Sequence, residues 1–342
     1  MLYTLEFHRE NHERPLPALE HYDLTGQVII ITGANAGIGY ECARYILAKG
    51  ATKVIAACRN EKKSQEAIRK LLSETKREEG AVEYWHLELA SLASVRAFAK
   101  RFLESGLPLN TLISNAAISE IGKVLTTDGL DALVQINHIS PMYLAMLLYP
   151  ALKRTGAVEG GPPSRFIGVT TEGAFFTGFP ESADPRPVKT VSERVYDASE
   201  EDVSYFTSKI LNLIGCLEIA RRIPPSVNIK VAVATPGLTD TELGTKDATG
   251  EQTRIEPIRE VYGTKPRTCA EGARAVLLPM TYPAERVWPE DGGIMPFYAH
   301  MQALQLKDFP VKAQDEEIRR KVWEDTIALL QLKRGDVDDC FL

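Results

Sequence analysis

The stretch Val28-Ile29-Ile30-Ile31-Thr32-Gly33-Ala34-Asn35-Ala36-Gly37-Ile38-Gly39 decides how the chain is read. Its first part is short, apolar and β-branched, and Gly26 bounds it, so it predicts a strand buried on both faces. A helical pattern begins near Ile38. Between them lie three glycines with separate jobs. Gly33 turns the chain sharply off the strand, Gly37 lets backbone approach a pyrophosphate, and Gly39 lets the helix pack closely on the sheet. The free N–H groups of the helix then face the phosphates. Taken alone, the stretch is equally a tight strand-to-helix turn with no ligand. Its spacing is Gly-x3-Gly-x-Gly, which differs from the common Gly-x-Gly-x2-Gly dinucleotide fingerprint.

Outward from this turn, strands and helices alternate. Strands are expected at 28–32, 53–58, near 82–87, at 111–114, 165–170 and 229–234, with a short last one at about 292–298. Helices are expected over 38–49, roughly 61–78 and 91–104, about 128–152, 203–222 and about 268–280. Alternation of this kind predicts an α/β fold, a doubly wound parallel sheet with helices on both faces. No repeat, low-complexity tract or flexible linker interrupts it, so one domain, 25–300, is the expectation. The stretches 172–202 and 237–266 have no clean period and read as loops capping a substrate site. Residues 1–24 read as an N-terminal arm, and 301–342 as a C-terminal extension with a charged amphipathic helix over 312–333. In a doubly wound sheet ligands bind beyond the carboxyl ends of the strands, which directs attention to the residues just after each one.

The 342 residues are 44% hydrophobic and 25% charged, ordinary values for a soluble globular protein. A net charge of −6 argues against nucleic acid and anionic membrane surfaces as partners. The five cysteines are scattered without a Cys-x2-Cys pair, so neither a disulfide framework nor a zinc site is indicated, and no metal is expected. With no integral membrane segment and no secretory leader pattern, a reduced cytoplasmic location is the expectation.

Several residues carry potential chemistry. Tyr205 and Lys209 lie at i and i+4, on one helix face. A phenol with its ordinary pKa of about 10 is a poor acid at neutral pH, and a cation one turn away lowers that value. The same pair alone reads as two surface residues four apart. Asn115 and Ala116 follow the fourth strand, where small residues let backbone approach a nucleoside or a neighbouring strand. Asn137 sits in an apolar helix and needs partners, either backbone or a held water. His138 beside it reads as a packing or surface histidine. Thr170-Thr171 end the fifth strand, and Pro236-Gly237 follow the sixth.

In combination these motifs, Thr-Gly-x3-Gly-Ile-Gly, Asn-Ala, Tyr-x3-Lys and Pro-Gly in that order, resemble the short-chain dehydrogenase/reductase family across roughly 25–300. The first half, with Ala57-Cys58-Arg59-Asn60 and Leu89 to Arg96, most resembles the retinol-dehydrogenase-like and WW-domain-oxidoreductase-like branch, although the chain carries no WW segment. The resemblance implies a Rossmann fold and a role for each position. Tyr205 would be the general acid or base. Lys209 would lower its pKa and hold the nicotinamide ribose. Asn137 would anchor a water relaying protons through Lys209, and Thr171 would orient the substrate carbonyl. Thr32, Gly33, Asn35, Gly37, Ile38 and Gly39 would cradle the cofactor, with Asn115, Ala116, Pro236 and Gly237 beside it. Three departures stand out. Thr171 replaces the family's usual serine, the interval from Thr171 to Tyr205 is longer than usual, and Ala117 stands where glycine is usual.

Cofactor choice follows from the second strand. A carboxylate after it would favour NAD by bonding a free ribose 2′-hydroxyl. Here Arg59 can pair with a 2′-phosphate, which points to NADP(H); a solvated surface charge is its other reading. Glu88-Leu89, after the third strand, should border the adenine. The resulting expectation is an NADPH-dependent carbonyl reductase. The alternatives are an alcohol dehydrogenase of the same fold and a non-catalytic NADP(H)-binding regulator. Phe175, Phe176 and Phe179 either line the pocket, implying a bulky apolar ketone or aldehyde, or pack the cap's own core. The family often pairs through its fourth and fifth helices, so a homodimer is one expectation. Segment 301–342 could cover that face or close over the active site.

Overall fold

The computed structural model describes residues 12, 16, 19, 22–119, 123–195, 201–243, 264–281, 295–299, 302–304 and 306–342. Most of the expected arm at 1–24 and of the loop at 237–266 lies outside them.

Strands β1 (Val28–Thr32), β2 (Lys53–Cys58), β3 (Val82–His86), β4 (Thr111–Ser114), β5 (Ser164–Val169), β6 (Ile229–Ala234), β7 (Phe297–Ala299) and β8 (Gln302–Leu304) form one sheet. Its order is β3-β2-β1-β4-β5-β6-β7-β8. All neighbours are parallel except β7 and β8, which pair antiparallel at the edge, an addition the sequence pattern did not suggest. The order reverses between β1 and β4, and the crevice of the sheet opens there.

The sheet is covered on both faces, and β1 shows why its apolar run is unbroken. Val28 and Ile30 point into one core, with α3 (Leu92–Glu104) and α4 (132–156), while Ile29 and Ile31 point into the other, with α1 (Gly37–Ala48) and α2 (Glu61–Thr75). Among the described residues the remaining helices longer than one turn are α5 (Pro187–Glu193), α6 (Glu201–Arg222), α7 (Cys269–Thr281) and α8 (Glu316–Leu330).

Helix α4 departs from the expected 128–152. It opens at Ala132–Val134, capped by Asp131, whose carboxylate accepts from Leu133 N and Val134 N at 3.0 and 3.2 Å. It then widens into a π-turn over Gln135–Ile139 and runs on as Ser140–Gly156. Gly129, at φ +77°, keeps the preceding residues in a turn. Over 172–195 the capping stretch is also more regular than its composition suggests. It holds 3₁₀ turns at Glu172–Phe175 and Pro180–Ala183, and α5 starts at Pro187, a residue favoured in the first helical turn.

The C-terminal extension lies along α6. Arg319 and Glu218 meet at 3.2 Å, both buried, and Phe341 packs edge-on against Tyr149 of α4 with ring centres 5.0 Å apart. Asp325 accepts from Arg186 Nε and Lys189 N, each at 2.8 Å, and so ties the capping segment to α8.

Candidate active site

A cavity of about 880 Å³ opens at the carboxyl ends of β1 to β6. Its lining brings together Gly33, Asn35, Gly37, Ile38, Arg59, Glu88, Leu89, Asn115, Ala116, Tyr205, Lys209 and Pro236. These residues span most of the chain and meet because most of them follow a strand or open a helix, while Tyr205 and Lys209 face the same end from within α6 (Glu201–Arg222). Thr32, Gly39, Asn137, Thr171 and Gly237, also expected there, are not among its lining residues.

The glycine turn is tightly constrained. A Cβ on Gly39 would lie 2.3 Å from Gly33 O and 2.6 Å from Asn115 Nδ2, so α1 meets its strand only through glycine. Gly37, at φ +55°, faces space, with Thr241 the nearest group at 3.9 Å. Ala36, in the capping position before α1, supplies no side-chain cap, so the first N–H groups of the helix lack a side-chain acceptor there. Thr32 supports the turn from behind: its hydroxyl oxygen accepts from Asn115 N and Ala116 N at 3.0 and 2.9 Å.

At the other end of the cavity Arg59 lies 3.6 Å from Glu88 Oε2, with its side chain 72% exposed. Glu88 is fixed, because its other oxygen accepts from Ala90 N at 2.9 Å. Such an exposed ion pair is weak, and the guanidinium is free to turn to a stronger anion. Lys63, on the first turn of α2, lines the same end.

Tyr205 is half-buried on α6, one turn before Lys209. Lys209 Nζ lies 5.8 Å from the Tyr205 ring centre and donates to Val169 O at 3.1 Å. Burial pushes the Lys209 ammonium down to about 8, opposed by the nearby Cys216 thiol.

Asn137 works through backbone. Its Nδ2 donates to Ile118 O at 2.9 Å and to Ser208 Oγ at 3.0 Å, and its Oδ1 accepts from Ile118 N at 2.9 Å. Its own carbonyl accepts from Asn212 Nδ2 at 2.8 Å. The side chain therefore clamps the segment after β4 to α6, and the π-turn is what aims it there. Thr171 caps the following 3₁₀ turn, its hydroxyl accepting from Gly173 N at 3.2 Å, while its neighbour Thr170 reaches the cavity wall. Phe179 is fully buried in the core and Phe176 is exposed at the surface; none of Phe175, Phe176 and Phe179 lines the cavity. His138 is buried, in keeping with its reading as a packing residue.

Asp240 and Thr241 lie in the stretch after the sixth strand to which the sequence points, whereas Lys63, Ile118, Ser119, Glu242, Leu243 and Cys269 of the lining were not expected. Lys63 was readable, lying one helical turn after Arg59; the others follow loops whose course no local pattern states.

A family model described as short chain dehydrogenase matches residues 27–160. A short chain dehydrogenase/reductase of a Cryptosporiopsis species is 31% identical over 223 residues, 64% of this chain and 68% of that protein. The WW domain-containing oxidoreductase of Gallus gallus is 36% identical over 218 residues, 63% of this chain and 50% of that protein. The match thus spans about half the length of the WW domain-containing oxidoreductases. Among solved structures, an uncharacterised protein from Mycobacterium paratuberculosis superposes with a TM-score of 0.64 at 23% identity, over 94% of this chain and 97% of that one. A short-chain dehydrogenase from Sphingobium yanoikuyae, solved with NADPH, gives 0.53 at 19% identity, over 74% and 84%. At these identities the structural likeness is one of fold.

Proposed function

The chain belongs to the short-chain dehydrogenase/reductase family of oxidoreductases, and from that premise we propose that it is an NADPH-dependent reductase of ketones or aldehydes with a bulky apolar body. The observation that carries the reading is the convergence of the glycine turn, Arg59, Tyr205 and Lys209 on one cavity. The residues present suit a dinucleotide. The open start of α1 suits a pyrophosphate, and the clear space at Gly37 lets phosphate oxygens approach backbone. Arg59 and Lys63 would hold a 2′-phosphate, with Leu89 and Glu88 beside the adenine. Asn115, Ala116 and Pro236 would border the ribose and nicotinamide. Bound there, NADPH supplies the hydride. NADP-bound neighbours, such as the Sphingobium yanoikuyae enzyme, agree with this choice.

In the proposed reaction Tyr205 binds the substrate oxygen through its phenol O–H and gives up that proton as the oxygen gains charge. Lys209, cationic at neutral pH, stabilises the phenolate that remains. Asn137 and Ser208 hold α6 against the segment after β4, fixing the height of Tyr205 over the cavity floor. Ile118, Ile136 and Leu243 give the cavity an apolar wall for the substrate. Of the two hydroxyls after β5, Thr171 would have to leave Gly173 N and turn towards the cavity to orient the carbonyl, whereas Thr170 already lines the cavity, its hydroxyl donating to Lys209 O at 3.1 Å.

The test is loss of reduced-nicotinamide absorbance with purified protein, NADPH or NADH, and a panel of bulky apolar ketones and aldehydes, run beside Tyr205→Phe. Turnover with NADPH that the substitution removes is the expected result. Tight NADPH binding without turnover of any carbonyl or alcohol would favour a non-catalytic, cofactor-sensing role instead.

A further inference from the structure

The turn Pro236-Gly237 is held locally, by Gly237 N donating to Thr235 Oγ1 and Thr239 Oγ1 donating to Gly237 O, each at 3.1 Å, and also by a distant residue. Arg267, 5% exposed, donates from one guanidinium nitrogen to Pro236 O at 3.2 Å and from the other to His12 O at 3.2 Å. His12 belongs to the N-terminal arm, is itself buried, and its Nε2 meets Lys265 O at 3.1 Å. The fit is close enough that a Cβ on Gly237 would lie 2.5 Å from the Arg267 guanidinium and 3.2 Å from His12 Nδ1. The backbone of Arg267 grips the next few residues as well: it donates to Leu238 O at 2.9 Å and accepts from Asp240 N at 2.8 Å. Asp240, Thr241, Glu242 and Leu243, which follow, line the cavity.

A guanidinium buried this deeply is costly to desolvate, and it is retained where its planar fork joins groups that no single donor could span. Here it joins the arm, 255 residues away in sequence, to the wall of the cavity that begins at Pro236. We infer that Arg267 is a positioning residue for the nicotinamide end of the cofactor cleft, and that His12, buried behind it, braces that wall from outside the cavity. The inference rests on the NADP(H) reading above. It assigns Arg267 an effect on one half of the cofactor only, because among the described residues Arg59 and Lys63, at the adenosine end, share no hydrogen bond with this turn.

That asymmetry gives the test. Arg267→Met and Arg267→Lys are made in the full chain and titrated with NADPH, followed by its fluorescence, and with adenosine 2′,5′-bisphosphate, which carries the adenosine end alone. Loss of a charged hydrogen bond to the turn should raise the Kd for NADPH about tenfold in Arg267→Met. The Kd for the bisphosphate should stay within about twofold of the wild type. Arg267→Lys, which can still reach one carbonyl, should fall between; if Arg267→Met does not fold, the lysine variant carries the comparison. Unchanged NADPH affinity, or equal weakening of both ligands, would overturn the inference, the second outcome marking a role in general stability. Wild-type protein that binds neither ligand would instead remove the NADP(H) reading on which it stands.

Discussion

Lys209 holds its ammonium 5.8 Å from the centre of the Tyr205 ring while donating to the carbonyl of Val169 at 3.1 Å. The lysine is thus fixed by the fifth strand and cannot swing away from the phenol. Burial lowers its pKa from 10.5 to about 8, so the cation that assists Tyr205 begins to be lost just above neutrality. Reduction should therefore decline as pH rises through about 8, seen as a basic limb in kcat/KM for the carbonyl. The same shift has a stability sign. Below pH 8 the folded protein carries a buried charge that the unfolded chain solvates, and the penalty disappears as pH rises from about 8 to 10.5. Denaturant titrations of wild type and Lys209→Met should converge in pH dependence only after the wild type has gained about 3 kcal/mol over that window. A kcat/KM profile flat to pH 10 would contradict the assignment.

Arg59 and Glu88 share one end of the cavity at 3.6 Å. A 2′-phosphate there would compete with the carboxylate for the guanidinium and repel Glu88. Arg59→Ala should raise the Kd for NADPH and for adenosine 2′,5′-bisphosphate by about tenfold, leaving NADH nearly unchanged. Glu88→Gln should move NADPH in the opposite direction, by a few fold. Isothermal titration of the three ligands separates these outcomes, and equal effects on NADH and NADPH would show that Arg59 does not read the phosphate.

Gly39→Ala offers a contrast with Gly37→Ala. At Gly39 the new methyl would overlap Gly33 O, a backbone atom that cannot step aside without moving β1 or α1. At Gly37 it meets ordinary contact distance and only the unfavourable positive φ. Gly39→Ala should thus destabilise by more than about 2 kcal/mol, and Gly37→Ala by about 1 kcal/mol or less while weakening dinucleotide binding. Thermal melts with and without NADPH would show the split, and reversed rankings would sink this account of the turn.

The sequence made the sheet readable because its strands, buried on both faces, are nearly continuous apolar runs separated by turns. β2, β4 and β6 fall where the pattern put them, Lys53–Cys58, Thr111–Ser114 and Ile229–Ala234. Local patterns say nothing of partners far away, and that is where reading stopped. Asn137 offers two outcomes in sequence, a backbone bond or a water. Only the π-turn, which no periodicity signals, aims its side chain at Ile118. Arg267 looks like any loop cation until His12 is brought beside it. The sequence pattern puts Thr171 at the end of the fifth strand, yet β5 stops at Val169 and the Thr171 hydroxyl caps the next turn.

His138 links the π-turn to α8. Its Nε2 lies 2.9 Å from Thr326 Oγ1, and that hydroxyl donates to Val322 O at 2.7 Å, so the imidazole must be the donor. The ring is neutral, with burial pushing its pKa from 6.5 down to about 3. Between those values the unfolded chain binds a proton that the folded one refuses, so stability is lost as pH falls from 6.5 towards 3. His138→Gln keeps a donor for Thr326 and cannot titrate. From pH 6.5 to 4.5 the wild type should lose about 2–3 kcal/mol more than the variant, read from urea midpoints. Parallel losses would place the acid sensitivity elsewhere.

The C-terminal extension also bears on assembly. Pairing of two copies through α4 and α6 would need the surface that α8 and Phe341 now occupy. That contact includes the buried Arg319–Glu218 pair, the Arg222 guanidinium 4.6 Å from the Trp323 ring centre, and Trp323 Nε1 donating to Phe341 O at 3.0 Å. Breaking one member of a buried ion pair costs about 3–5 kcal/mol, more than an exchange of one helix contact for another readily returns. The full chain should therefore run as a monomer in light scattering at micromolar concentration. Removing Glu316 to Leu342 should expose an apolar face on α6 and produce dimers or aggregates. A wild-type dimer whose cross-links map to α4 and α6 would show that the extension moves aside, and the packing described for α8 would not be its solution state.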